Sequence, residues 1–221
     1  MRSGRGGIMG TRRTFLKQML GAACAGTLAW AAGLAQGLAG AARKVLPRGT
    51  PLESLRNRNP AELDTRNLSV TPLEDFQTMG ITDHRVDLDA WRLEIEGRVD
   101  TPLRLSYEEL LGLPGLERAV LLICPGVFVQ HGRWAGFSLG PLLDRAGAAG
   151  SASRITVQGP LGQYVKTVSY PLEDVRSGRV FLCHHVNGEP LPVKHGYPLR
   201  VVAEGYYGYD WIKYASRIRV E

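Results

Sequence analysis

The chain has 221 residues, with 27 Lys and Arg against 21 Asp and Glu and a formal charge of +6; its isoelectric point is near 9.4. Five basic residues (Arg2, Arg5, Arg12, Arg13, Lys17) and no acidic one fall in residues 1–42, so residues 43–221 hold 22 basic against 21 acidic groups and are almost neutral. A basic excess confined to a leader argues against a nucleic-acid binder, and 44% hydrophobic with 22% charged residues excludes wholesale disorder while leaving enough chain for one domain with its own core.

The leader reads Thr11-Arg12-Arg13-Thr14-Phe15-Leu16-Lys17, then residues 19–38 without a charge, then Ala39-Gly40-Ala41-Ala42. A basic start, an apolar run and a small-residue end make a secretory signal. The adjacent arginines resemble the twin-arginine signal, whose machinery exports folded proteins. Residues 1–42 are therefore expected to be a signal peptide cleaved after Ala41 or Ala42, which places the protein in the periplasm. Twenty uncharged residues also suffice for a retained anchor, but Gly21, Gly26, Gly33, Gln36 and Gly37 make the run weakly hydrophobic and favour cleavage. With Cys24 in the leader, Cys124 and Cys183 remain, and in an oxidising compartment a disulfide between them stays open.

Residues 43–70, with Pro47, Gly49, Pro51, Asn57, Asn59 and Pro60, read as an extended N-terminal arm leading into a domain over 71–221. Trp91, Leu93 and Ile95 alternate with Arg92, Glu94 and Glu96, the period of a half-buried strand. Ser106 and Glu109 form a capping box for a short helix ending near Gly112. Residues 119–123 are a short apolar strand running into Cys124-Pro125-Gly126. Ser138 is expected to cap a second helix carrying Leu139, Leu142, Leu143 and Ala146, ended by Gly147. Ile155/Val157, Val165/Val168, residues 180–183, 199–203 and 217–220 suggest further strands, with a turn at Asn187-Gly188. Short strands with small helices between them predict a compact α+β domain that is mostly β.

Cys124 stands where a buried strand meets a turn, a position from which a thiolate could reach a thiophilic metal; a buried structural cysteine is the alternative. His184 and His185 look like ligands. Adjacent strand residues point to opposite faces, however, so one local metal would not easily take both, and no zinc-like spacing links Cys124 to a second ligand. The run Lys194-His195-Gly196-Tyr197-Pro198-Leu199-Arg200, followed by Gly205-Tyr206-Tyr207-Gly208 and Lys213, sets cationic groups around two glycine turns, an arrangement suited to an anion.

These residues resemble the molybdopterin-binding domain of the sulfite oxidase family. The resemblance rests on Asn187-Gly188-Glu189-Pro190-Leu191, on 195–200, on Tyr207-Gly208 and Lys213, and upstream on Trp91 to Gly97, Pro102, Leu105-Ser106 and Cys124 to Gly136 in the same order. It implies a mostly-β fold of sulfite-oxidase type and the cofactor molybdenum-molybdopterin. It makes Cys124 the thiolate ligand of molybdenum and the catalytic cysteine. It also makes His195, Arg200, Tyr207, Gly208, Tyr209 and Lys213 cofactor-binding residues, and leaves Cys183 structural. The chain shows no second redox motif such as Cys-x-x-Cys-His, so the resemblance further implies a separate haem- or quinone-linked membrane partner.

The pattern departs from sulfite-oxidising members. No arginine follows Cys124 within Pro125-Gly126-Val127-Phe128-Val129, Thr78-Met79-Gly80 stands where Arg-Asn-His is usual, and Asp210 replaces a basic residue. The plan is nearer to the stand-alone bacterial periplasmic reductases of the family. Without fixed cations a sulfite dianion is costly to desolvate, so Met79, Phe128 and Trp134 are expected to form an apolar mouth for a neutral oxide such as a sulfoxide, unless a loop folds Arg133 back towards the metal.

Overall fold

The computed structural model describes residues 42–221 apart from 161, 163 and 164; the signal-peptide reading of the leader lies outside the described residues. Two five-stranded sheets carry the domain. Among the described residues no helix is long and apolar enough to cross a membrane.

The alternation at Trp91–Ile95 gives β3 (Leu93–Gly97), with Leu93 and Ile95 fully buried. Strand β4 (Leu103–Leu105) pairs antiparallel with it, and helix α1 (Tyr107–Leu111) follows. The capping box is complete: Glu109 N–H donates to Ser106 Oγ at 3.2 Å, and Ser106 N–H donates to Glu109 Oε2 at 2.8 Å. The second sheet then begins with a long hairpin, β5 (Gly115–Cys124) and β6 (Phe128–Ser138), paired from Gly115↔Phe137 to Cys124↔Phe128. Sequence reading found only part of β5 and missed β6. In β6 the residues 128–132 are all buried, including Gln130 and His131, which erases the alternation by which a strand is recognised.

Helix α2 (Gly140–Arg145) starts one residue later than expected. Leu139 is its N-cap, and Ser138 Oγ instead accepts from Gly140 N–H at 3.3 Å. Strands β7 (Arg154–Gly159) and β8 (Lys166–Pro171) pair antiparallel and precede α3 (Leu172–Arg176). Val165 falls just outside β8. Strand β9 (Val180–Val186) pairs with β6, and its other partners are β10 (Glu189–Pro190) and β11 (Arg200–Ala203). Asn187 and Gly188, with φ of 54° and 88°, make the left-handed turn into β10 that this dipeptide favours. The last strand, β12 (Arg217–Val220), lies parallel to β3 and antiparallel to β7. The first sheet thus reads β4-β3-β12-β7-β8 and the second β10-β9-β6-β5, with β11 also on β9.

One core joins the sheets, built around Leu93, Ile95, Trp134, Phe137, Phe181 and Ile218. Residues 43–70 carry a short parallel pair, β1 (Lys44–Val45) with β2 (Leu63–Asp64). Their Leu46, Leu55, Leu63 and Leu68 pack with Leu121, Ile123 and Val129 of the hairpin as a second cluster. Burying those four leucines stabilises the seating by roughly 1.5–3 kcal/mol each before entropy is counted.

Candidate active site

A cavity of about 520 Å³ opens where the ends of the two sheets meet. Its walls come from residues 77–81, the end of β5, the start of β6, Gly159-Pro160, the start of β8, Arg200 and, from the last turn, Gly208, Tyr209, Trp211, Lys213 and Tyr214.

Cys124 reaches this cavity because of the turn that follows it. Val127 N–H donates to Cys124 C=O at 3.0 Å, and Gly126 has φ of 73°. Proline at the second position and a left-handed glycine at the third define a type II turn, which ends β5 with the thiol on the cavity wall. Cys124 is a free thiol, as is Cys183, so the disulfide is absent: Cys183 is fully buried and paired in register with Arg200, away from the wall. Burial raises the Cys124 thiol above its usual value while the Lys166 charge pulls it down; burial pushes Cys183 up to about 12.

Arg200 lines the cavity although only 5% of it is exposed. Its guanidinium lies against two indoles that also touch each other edge to face, 5.3 Å from the Trp134 ring centroid and 5.5 Å from that of Trp211. Its Nη1–H donates to His195 C=O at 3.0 Å, and Nε has no partner. Among the described residues no carboxylate pairs with it. Burial lowers its pKa to about 10, so it is still a cation at neutral pH. His195 sits one layer behind, fully buried, with both ring nitrogens unpartnered. Burial first, then the Arg200 charge, lowers it to about 4, and it is neutral.

Lys213 also lines the cavity. Its ammonium donates to Thr78 Oγ1 at 3.1 Å, to Lys194 C=O at 3.2 Å and to Ile81 C=O. It thereby ties the 77–81 wall to the turn before His195, and burial lowers it to about 8. The turn comes close: a Cβ on Gly196 would stand 3.0 Å from Lys213 Cα. Gly208 and Tyr209 are wall residues, whereas Tyr207 is not; it packs on the second cluster and stacks against Tyr209 at 5.4 Å. At Gly208 a Cβ would meet Leu122 Cδ2 at 3.0 Å and Ile123 C=O at 3.2 Å.

The expected apolar mouth needs two corrections. Met79 and Phe128 line the cavity, but Trp134 is fully buried behind Arg200. The mouth also holds a cation that sequence reading did not find, Lys166, whose ammonium donates to Tyr209 C=O. Nor can a loop carry Arg133 inwards, because it lies within β6, opposite Ala119. Trp211 and Tyr214 are further wall residues that went unread; their only signal was the aromatic flanking of Lys213.

A buried cation that no carboxylate among the described residues neutralises, on the same cavity wall as a free thiol, suits an anionic ligand that also carries a metal. A molybdopterin phosphate with its molybdenum fits that donor set. Residues 79–221 match the family model described as the oxidoreductase molybdopterin binding domain. The chain belongs to that family. It is 28% identical over 154 residues to the uncharacterized oxidoreductase YuiH of Bacillus subtilis, covering 69% of this chain and 76% of that one. To the protein-methionine-sulfoxide reductase catalytic subunit MsrP of Xanthomonas campestris it is 28% identical over 190 residues, covering 77% and 59%. To mitochondrial sulfite oxidase of Homo sapiens it is 29% identical over 191 residues, covering 73% and 35%. The crystal structure of the sulfane dehydrogenase SoxCD from Paracoccus pantotrophus superposes with a TM-score of 0.58 at 26% identity, over 62% of this chain and 39% of that one. The fold is thus the sulfite-oxidase-type molybdopterin-binding fold, and the chain spans from 18% to 76% of the length of these and other relatives.

Proposed function

We propose that the protein is an exported molybdenum-molybdopterin oxidoreductase acting on a small oxide or sulfoxide-type substrate, with electrons exchanged with a separate haem- or quinone-linked membrane partner. The observation that carries this reading is Cys124 sharing one cavity with Arg200, a buried cation that no carboxylate among the described residues neutralises. The twin-arginine leader supports export of a folded, loaded protein, and the likeness to MsrP supports a sulfoxide.

When bound, the cofactor supplies the two-electron and oxo-transfer chemistry. The chain's own residues bind and orient it. Cys124 would ligate molybdenum through its thiolate. Arg200, held by the His195 carbonyl and the two indoles, would neutralise the pterin phosphate with charge-assisted hydrogen bonds. Lys213 fixes the 77–81 wall and adds positive charge. Gly208 keeps the backbone near β5, and Phe128 and Trp211 keep that side of the cavity apolar, which strengthens the electrostatic contacts within it.

Elemental analysis of protein made in a host with an intact molybdenum-cofactor pathway tests this reading. About one molybdenum per chain is expected; stoichiometric zinc without molybdenum would overturn it, and molybdenum without turnover would reduce it to a cofactor-bearing binding module. One observation favours a second reading, sulfite oxidation: Lys166 offers a cation at the mouth that an oxyanion could use.

A further inference from the structure

On a regular strand the adjacent His184 and His185 would point to opposite faces and would not easily share a metal. Strand β9 is not regular there. Ala135 pairs with His185 and Gly136 with Cys183, so His184 is an extra residue with no partner on β6. Such a β-bulge interrupts the in-out alternation and re-aims side chains. The two imidazoles consequently meet, with ring centroids 4.7 Å apart and their Nδ1 atoms 2.5 Å apart.

The bulge is held from both sides. On β6, a Cβ at Gly136 would lie 2.0 Å from Leu182 C=O and 2.5 Å from Cys183 Cα, so the close approach requires glycine. On the other edge Leu191 N–H donates to His184 C=O at 2.8 Å, and Pro190 pairs with His185. Phe137 stacks on the His184 ring at 6.3 Å. Both histidines are half-buried and neither lines the molybdenum cavity.

We infer that His184 and His185 form a second metal site, separate from the cavity, that takes one divalent first-row ion through the two Nδ1 atoms. Imidazole suits copper, zinc and nickel, with copper bound most tightly. Two nitrogens bound to a tetrahedral zinc at about 2.0–2.1 Å stand roughly 3.3 Å apart, so the pair needs to open by less than about 1 Å. No third His, Cys, Asp or Glu joins them among the described residues. Water therefore completes the shell, and the ion is exchangeable rather than structural.

The test uses untagged, oxidised, molybdenum-loaded protein titrated with copper(II) chloride, followed by calorimetry and pulsed electron paramagnetic resonance. One copper per chain carrying two imidazole nitrogens is expected, displaceable by excess zinc. His184→Gln and His185→Gln should each weaken binding at least tenfold with molybdenum content unchanged, and His84→Gln should leave it unaltered. Equal copper affinity in the wild type and His185→Gln would overturn the site. So would fewer than two imidazole nitrogens on copper in the wild type, a reading that needs no variant to fold.

Discussion

The Cys124 sulfur lies 3.3 Å from the Met79 sulfur, so a thioether from the 77–81 wall rests on the thiol proposed to ligate molybdenum. Met79 is 55% exposed, and displacing it uncovers Cys124, whereas Cys183 has no such route out of the core. In native, cofactor-free protein lacking the leader, iodoacetamide at pH 8 should therefore modify one thiol. Peptide mapping should find the label on Cys124, with Cys183 reacting only after unfolding. Equal labelling of both, or of neither, contradicts the burial difference. Cys124→Ser should keep most of the cofactor, because the pterin contacts survive, yet abolish turnover.

Arg200 predicts opposite effects in the loaded and empty protein. A buried cation without a carboxylate costs stability when the anion is absent, and replacement by an apolar side chain of similar size then becomes neutral or favourable. Arg200→Met should leave the melting temperature of cofactor-free protein unchanged or higher. It should also lower molybdenum occupancy, since hydrogen bonds to a charged phosphate are worth roughly 1.5–3 kcal/mol each. Occupancy equal to wild type would separate Arg200 from the cofactor.

What the sequence revealed was local, and what it hid was not. The capping box of Ser106 and Glu109 spans four residues, and the Cys124-Pro125-Gly126 turn is set by the conformational limits of proline and glycine. Both are legible without tertiary contacts. Gln130 and His131 concealed β6, because one polar atom of each meets a distant partner: Gln130 Oε1 accepts from Gln77 N–H at 2.9 Å, and His131 Nδ1 lies 3.3 Å from Ser69 C=O. Lys166 went unread for the same reason. It joins the cavity through the β7–β8 pairing, and nothing near it in sequence marks it as different from a surface lysine.

His195 gives a pH dependence of stability. Its pKa is about 4 when folded and near 6.5 when unfolded. Between those values the unfolded chain holds a proton that the folded chain does not, so stability is complete above about pH 6.5 and falls as pH drops towards 4. Melting curves of cofactor-free wild type should shift downwards over that window by more than those of His195→Gln. Parallel curves would mean that folding does not lower the pKa of His195.

Gly136 should tolerate no side chain. A Cβ 2.0 Å from Leu182 C=O can be relieved only by separating β6 from β9, the strand that pairs with Arg200's β11. Gly136→Ala is expected to cost about 3 kcal/mol or more, a drop of roughly 6–12 °C in melting temperature for a domain of this size. Gly150→Ala, where a Cβ meets nothing within 4 Å, is the control.

Under the proposed function, Lys166 is expected to decide how the site treats charge in a substrate. A neutral sulfoxide needs one donor for its oxygen, whereas a sulfite dianion needs its charge offset on leaving water. Lys213 has three backbone or hydroxyl acceptors and Arg200 is committed to the cofactor in the present reading. Lys166 is then the mouth's remaining cation among the described residues, and Asp210 lies near enough to raise its pKa in opposition to burial. One partly offset cation favours the neutral oxide. Sulfoxide reduction with a reduced viologen should exceed sulfite oxidation with a one-electron acceptor. Lys166→Met should raise KM for sulfite about tenfold or more and change KM for the sulfoxide by less than about threefold, as expected when a charge-assisted contact worth roughly 1.5–3 kcal/mol is lost. Sulfite turnover that survives Lys166→Met at micromolar KM would reverse the preference and require another cation in the cavity.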